Sequence, residues 1–227
     1  MCSNYQRTKS YRSYVEEFSH TALPLRFPEA HAAPNLEPRP EIRPTDPSPI
    51  FRRREDGVEM ITARWWLLPW WHKGGLKEFK LATFNARSET VATSRTFRDA
   101  FKRQRCLVPA EGWYEWTGEK GQKTKWFFTP KGEPPICFAG LWDHCITTDA
   151  GTVESFTIVT QPASSALNAY HDRAPVVLAQ KDWSTWLDLD ADVRPLLGPE
   201  DVGDFEVTYI SGPSSQPPQS GKPLNER

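Results

Sequence analysis

The sequence predicts an α+β fold: an open, β-barrel-like, mostly antiparallel sheet with peripheral helices. Three observations carry this. Short runs rich in β-branched and aromatic residues recur between Phe79 and Ile210, with Gly or Pro near many of their ends. They do not alternate regularly with helices, which argues against a parallel βαβ architecture. Helical patterning is confined to short stretches. With 227 residues, 38% hydrophobic and 12% aromatic, the chain suffices for one domain with a sizeable core.

In chain order, Tyr11, Tyr14, Val15 and Phe18 form one stripe at i, i+3, i+4 and i+7, so residues 10–19 read as a short helix. Residues 24–49 carry eight prolines and read as an extended, irregular segment that can wrap the surface. Strands are expected at Phe79–Phe84, Trp126–Thr129, Ile136–Trp142, Ser155–Thr160, Pro175–Ala179 and Phe205–Ile210. Ser94 is placed to cap a helix carrying Phe97 and Phe101. Pro162 is placed to open one carrying Ala163, Ala166, Leu167 and Tyr170, and Trp183, Trp186 and Leu187 mark a third. Residues 1–210 are read as a single domain, and the Pro-, Ser-, Gln- and Gly-containing stretch 211–227 as a disordered tail.

Composition narrows the function. With 28 basic and 29 acidic side chains the net charge is -1, so this is no polycation, and DNA binding requires a local basic face. Cys2, Cys106, Cys137 and Cys145 show neither a CxxC pair nor zinc spacing, so no metal site is expected. The polar start lacks a signal-peptide core, and no apolar run approaches a membrane span. Free thiols in a reducing, cytoplasmic compartment are expected, nucleoid-associated if the host is bacterial.

Several constellations can carry chemistry, each with a bland alternative. Removal of Met1 would give Cys2 a thiol and an α-amine on neighbouring carbons. That amine titrates near ~8 and condenses with an aldehyde, after which the thiol closes a five-membered thiazolidine. The alternative is an ordinary residue in a frayed terminus. In Phe84-Asn85-Ala86-Arg87-Ser88-Glu89, Asn85 can hold a carbonyl or an amine and Arg87 can fork onto phosphate; the alternative is a turn with a surface ion pair. Glu115, between Tyr114 and Trp116, would have a raised pKa if buried and could then shuttle protons. The alternative is an exposed Glu in an aromatic strand, while Glu111 reads as a turn residue. His171, in His171-Asp172-Arg173-Ala174-Pro175, sits at an element junction and can act as acid or base. Finally, Arg64-Trp65-Trp66-Leu67-Leu68-Pro69-Trp70-Trp71-His72-Lys73 interleaves tryptophans with basic residues, as single-stranded nucleic acid binding requires. A Trp-rich core with a solvated basic face is the alternative there.

Taken in order, these segments resemble the SOS response-associated peptidase (SRAP) family of abasic-site processing proteins. The residues carrying the resemblance are Met1-Cys2, Pro44-Thr45, Arg64-Trp65 with Leu68-Pro69, Asn85-Ala86-Arg87 with Glu89, Gly112-Trp113-Tyr114-Glu115-Trp116, Phe138-Ala139-Gly140-Leu141-Trp142, and His171-Asp172-Arg173 with Pro175. They span nearly the whole domain. The resemblance implies self-removal of Met1 and a thiazolidine crosslink between Cys2 and the ring-opened aldehyde of an abasic site in single-stranded DNA. It implies that Cys2, Asn85, Glu115 and His171 are catalytic, and that possible reversal of the link makes the protein both lyase and hydrolase in type. It implies DNA contacts from Arg87, Trp65, Trp66, Trp70, Lys73, Arg173 and Thr160. No cofactor and no membrane is implied, and a monomer is expected. The chain departs from the family pattern at Ser3 (usually Gly), Asn4 (usually basic), Trp66 (usually Gly) and Ala174 (usually Met). Arg7 or Lys9 is expected to compensate for the missing cation. Two rivals remain at this point: a peptidase or amidohydrolase acting in trans through the same N-terminal Cys, and a non-covalent reader of modified DNA.

Overall fold

The computed structural model describes residues 2–21, 23, 25–26, 35–55, 57–132, 135–198 and 205–218. The chain runs β1 (Tyr5–Arg7), α1 (Tyr11–Ser19), β2 (Leu25–Arg26), β3 (Arg39–Ile42), β4 (Pro47–Arg54), β5 (Gly57–Trp65), β6 (Asn85–Arg87), α2 (Arg98–Arg103), β7 (Arg105–Ala110), β8 (Gly112–Thr117), β9 (Thr124–Pro130), β10 (Ile136–Thr147), β11 (Gly151–Pro162), β12 (Arg173–Pro175), β13 (Val177–Ala179), α3 (Trp183–Leu187) and β14 (Phe205–Ser211).

Two sheets form. One has the order β14-β9-β8-β1-β3. The other follows β12-β11-β10-β7-β4-β5-β2, with β13 on β10 and β6 on β11. A parallel pairing of β11 with β5, through Ser155↔Arg64 and Phe156↔Trp65, joins β11-β10-β7-β4-β5 into a ring. The architecture is therefore the mostly antiparallel, barrel-like α+β fold with short peripheral helices.

Burial explains why these segments pair. One core cluster lies under α1 and α3 and contains Tyr14, Phe18, Phe51, Trp183 and Trp186. The second contains Cys2, Tyr5, Trp65, Trp113, Phe138 and Phe156. Its rings meet edge to face, Tyr5 on Trp65 at 5.1 Å and Trp113 on Phe138 at 6.1 Å. Tyr5 pairs with Trp113 on β8 and with Ile42 on β3, which threads the N-terminal strand into the middle of its sheet. The start of the chain is thereby drawn into the interior.

Several expected elements are corrected. Phe79–Phe84 is not a strand. Residues 66–84 form a loop held by side chains: Leu68 N–H donates to Ser155 Oγ (2.8 Å), Trp70 N–H to Asp143 Oδ2 (3.0 Å) and Leu76 N–H to Asp149 Oδ1 (3.0 Å). The segment after Pro162 is a series of turns, because Pro162 itself is still in β11, opposite Arg173. Ser94 does not cap α2, which begins at Arg98; its hydroxyl accepts the Thr96 N–H at 3.3 Å instead. The Pro175–Ala179 run divides at Val176, whose N–H donates to Val159 and whose carbonyl accepts from Ala139, both at 2.9 Å. There the chain crosses from β11 to β10. The expected helix at 10–19 is α1, with Ser10 accepting the Ser13 N–H at its N-terminus. Part of the proline-rich segment, residues 27–34, and the end of the expected tail, residues 219–227, lie outside the described residues.

Candidate active site

Cys2 precedes β1 and is fully buried. Two neighbours fix it. The Asn85 Nδ2 donates to the Cys2 carbonyl at 2.7 Å, and the Tyr114 N–H donates to the Asn4 carbonyl at 2.9 Å. Asn85 reaches this point because β6 runs parallel to β11, with Asn85 opposite Ile158. Burial pushes the Cys2 thiol far above its ordinary range; the nearby Glu115 charge adds to the rise and the Asn4 backbone N–H opposes it. The thiol is therefore protonated at neutral pH and needs a base before it can act as a nucleophile.

The ionisable group that acts on the Cys2 thiol most strongly is Glu115. It lies on β8 with 4% of its surface exposed, so the alternative of an exposed Glu is excluded. Burial pushes its carboxyl up to about 7, and the Asp172 charge adds to the rise. A carboxyl divided between its two forms near neutrality can both accept and return a proton. His171 is half-buried, and burial pushes its imidazole down to about 4, with Arg173 adding to the fall and Asp172 opposing it. Its Nδ1 accepts the Arg173 backbone N–H at 2.9 Å, which fixes the ring's orientation. The ring is neutral at physiological pH.

Arg173 connects the elements that carry these groups. Its Nη2 donates to the Thr160 carbonyl (2.7 Å) and to Glu89 Oε2 (2.9 Å), and Nη1 also binds Glu89. The Arg173 hydrogen bonds hold the Glu89 carboxyl down at about 2. The His171 segment is thereby fastened to the turn that follows Asn85.

The expected DNA contacts divide by exposure. Arg87 and Lys73 are exposed, Trp66 is half-exposed, and Trp70 is 52% exposed. Arg95 lies over the Trp71 ring at 5.1 Å, extending this aromatic and basic face. The other expected contacts are corrected. Trp65 has no exposed surface: it donates to the Phe84 carbonyl at 2.7 Å and stacks on Phe156, so it cannot meet a base. Thr160 is fully buried, and Arg173, 8% exposed, is committed to Glu89 and Thr160. Nor does Arg7 or Lys9 replace a cation at Asn4. Arg7 is buried against the Lys9 and Glu37 carbonyls, and Lys9 pairs with Glu17 at 2.6 Å.

Sequence reasoning missed Ser155 and Asp143, which hold the tryptophan loop. A signal was present for Asp143, which stands in phase with the buried Leu141 and Cys145 in an alternating strand. Among the described residues no group of His, Cys, Asp and Glu gathers to hold a metal ion, and no helix is long and apolar enough to cross a membrane.

Comparison with known proteins agrees with this geometry. Residues 1–212 match the family described as SOS response associated peptidase (SRAP). The abasic site processing protein YoqW of Bacillus subtilis is 27% identical, over all of this chain and 99% of that protein. The abasic site processing protein YedK of Escherichia coli is 31% identical over 63% of this chain and 68% of its own. A Bordetella bronchiseptica protein of known crystal structure superposes with a TM-score of 0.74 at 27% identity, covering 92% of this chain and all of that one. A Bacteroides thetaiotaomicron protein shares the fold with a TM-score of 0.75 at 23% identity, over 92% of each chain.

Proposed function

We propose, from the premise that this chain belongs to the SOS response associated peptidase (SRAP) family, that it captures abasic sites in single-stranded DNA as a thiazolidine on Cys2. Abasic-site processing in the response to DNA damage is what the names of its relatives support. The chemistry comes from the residues.

Hydrolysis of the Met1-Cys2 peptide bond consumes one water and frees the Cys2 amine. That amine adds to the aldehyde carbon of the ring-opened sugar, and the carbinolamine loses water to give a Schiff base. The protonated form of Glu115 supplies the proton on which that water leaves, and the neutral His171 ring hydrogen-bonds the reacting groups without giving up a charge. The thiol then adds to the carbon of the C=N bond. Its proton passes to the Glu115 carboxylate, and the nitrogen takes up a proton to become the ring amine. Amine, thiol and aldehyde thus yield one thiazolidine and one water, with no redox change. Asn85 keeps the Cys2 carbonyl still while the amine on Cα and the thiol on Cβ react. Reversal runs through the same Schiff base, with Glu115 returning the proton.

The observation that carries this reading is the buried approach of Cys2 to both Asn85 and Glu115. A bare base gap, not a sequence, is selected, because only a missing base leaves both the aldehyde and room for the terminus. Arg87 and Lys73 supply phosphate contacts, and Trp66 and Trp70 supply stacking surface.

The test is a denaturing gel and intact mass after mixing the purified protein with single-stranded DNA holding one abasic site. A heat-stable adduct on protein lacking Met1, absent in Cys2→Ala, is the expected result. An adduct that survives Cys2→Ala would overturn the mechanism. Turnover of peptides in trans without DNA capture would favour an N-terminal-Cys hydrolase.

A further inference from the structure

Asn4 is 1% exposed, yet neither its Nδ2 nor its Oδ1 has a hydrogen-bond partner. A buried carboxamide bare at both ends is unfavourable and uncommon in folded proteins, and it calls for an explanation. Its place in the chain supplies one. Asn4 follows Cys2 by two residues, and its backbone N–H lies against the Cys2 thiol. Its carbonyl is held by the Tyr114 N–H at 2.9 Å, one residue before Glu115. The other amide of the site, Asn85, uses Nδ2 on the Cys2 carbonyl and leaves Oδ1 without a partner. Two residues whose carboxamides have unmade hydrogen bonds thus adjoin Cys2, beside the buried Glu115 and against the apolar cluster of Tyr5, Trp65 and Phe138. That is the complement of a small hydroxyl-bearing ligand, and a poor one for an apolar ligand or a bare hydrocarbon aldehyde.

We propose that the Asn4 carboxamide recognises the C4′ hydroxyl of the ring-opened abasic sugar. This rests on the capture reading given above and adds a specificity determinant to it. In the closed sugar the C4′ oxygen is a ring ether, which accepts hydrogen bonds but donates none. Ring opening turns it into a hydroxyl that does both, and a carboxamide offers the matching acceptor and donor. Asn4 therefore favours the open form, the only one that carries the reactive aldehyde. The contact is non-covalent and changes no bond. The Asn4 carboxamide has no partner among the described residues, and the sugar hydroxyl supplies one in the complex. A residue kept for ligand binding has that signature; one kept for packing does not.

The experiment compares capture rates of wild type, Asn4→Ala and Asn4→Leu, each confirmed by mass to lack Met1, on two single-stranded oligonucleotides. One carries a deoxyribose abasic site. The other carries at the same position an alkyl aldehyde tether with no hydroxyl group. The expected result is about tenfold slower capture of the abasic site by both variants, the effect of one or two lost hydrogen bonds. Capture of the alkyl aldehyde should stay within about twofold of wild type, with melting temperatures at or above wild type. Equal slowing on both probes, or on neither, overturns the proposal, as does a melting temperature lowered in both variants. If wild type captures neither probe, the failure lies in the capture reading, and this inference falls with it.

Discussion

Glu115→Gln separates the cost of burying a carboxylate from its use. A free glutamate titrates at 4.5, and burial moves Glu115 to about 7. At about 1.4 kcal/mol for each tenfold change in proton affinity, keeping this group ionised inside the protein costs roughly 3 kcal/mol. Between those two pH values the folded chain binds more protons than the unfolded chain. Stability therefore falls as pH rises from about 4.5 to about 7, and the whole cost is present above that window. Glutamine carries no charge at any pH. At pH 8 the variant should be more stable than wild type by up to roughly 3 kcal/mol. For a chain of this size, at about 2–4 °C per kcal/mol, that places its melting temperature about 6–12 °C higher. Near pH 5 the difference should shrink toward zero. Thermal denaturation from pH 5 to 8.5 reads this directly. The same samples should capture abasic DNA on the order of 100-fold more slowly, because an amide cannot take the thiol proton. A stability difference that is independent of pH, or a wild type that is the more stable at pH 8, would refute the reasoning: Glu115 would then not be a carboxyl displaced by burial, and its role as proton acceptor would lose its basis.

Asn85→Ala leaves the Cys2 carbonyl without its donor, so a loss of about 1–3 kcal/mol is expected together with slower removal of Met1, read by urea denaturation and intact mass. Trp65→Ala empties a fully buried site and should cost about 3–5 kcal/mol in the same urea experiment. If it weakened DNA binding with stability unchanged, Trp65 would have to lie on the surface. Arg87→Ala should weaken binding to undamaged single-stranded DNA and flatten the log–log salt dependence by about 0.7, the share of one phosphate contact. A salt slope equal to wild type would remove Arg87 from the DNA path.

The strands legible in the sequence were those whose own residues favour extension, as in Trp126–Thr129 within β9 and Ile136–Trp142 within β10. Those overlooked were specified by their neighbours. β4 reads Pro-Ser-Pro-Ile-Phe-Arg-Arg-Arg, poor in local strand signal, yet β5 and β7 pair with it on either side. Tertiary pairing overrides propensity there. Phe79–Phe84 failed in the opposite sense, having strand-like residues whose carbonyls are taken outside a ladder: Leu81 accepts from the Trp66 indole, Phe84 from the Trp65 indole and Thr83 from the Leu67 N–H. The helix expected after Pro162 failed because β12 holds that proline in a strand.

The residue types at the site could be read from the sequence, but the work each does depends on burial, which spacing does not encode. Trp65 and Trp70 stand five positions apart in one basic, aromatic run, and only one of them meets solvent. Alternation along β5 gives the reason: Ala63 and Trp65 share the buried face, while Thr62 and Arg64 point the other way. Arg87 and Arg173 show the same divergence. Both stand among the expected DNA contacts, but Glu89 and Thr160 consume the fork of Arg173 while Arg87 projects from the end of β6. Burial also sets the chemistry. The same removal from water that raises Glu115 lowers His171 and keeps the Cys2 thiol protonated, so at neutral pH the site holds a half-ionised carboxyl, a neutral imidazole and a thiol awaiting a base. A solvent-exposed version of these residues would present a fully ionised carboxylate and a partly charged imidazole, and would lose the acid form of Glu115 that the proposed capture needs. The N-terminal strand inserted between β8 and β3 is thus the feature on which the proton chemistry depends, because it carries Cys2 into the dry space where those shifts arise.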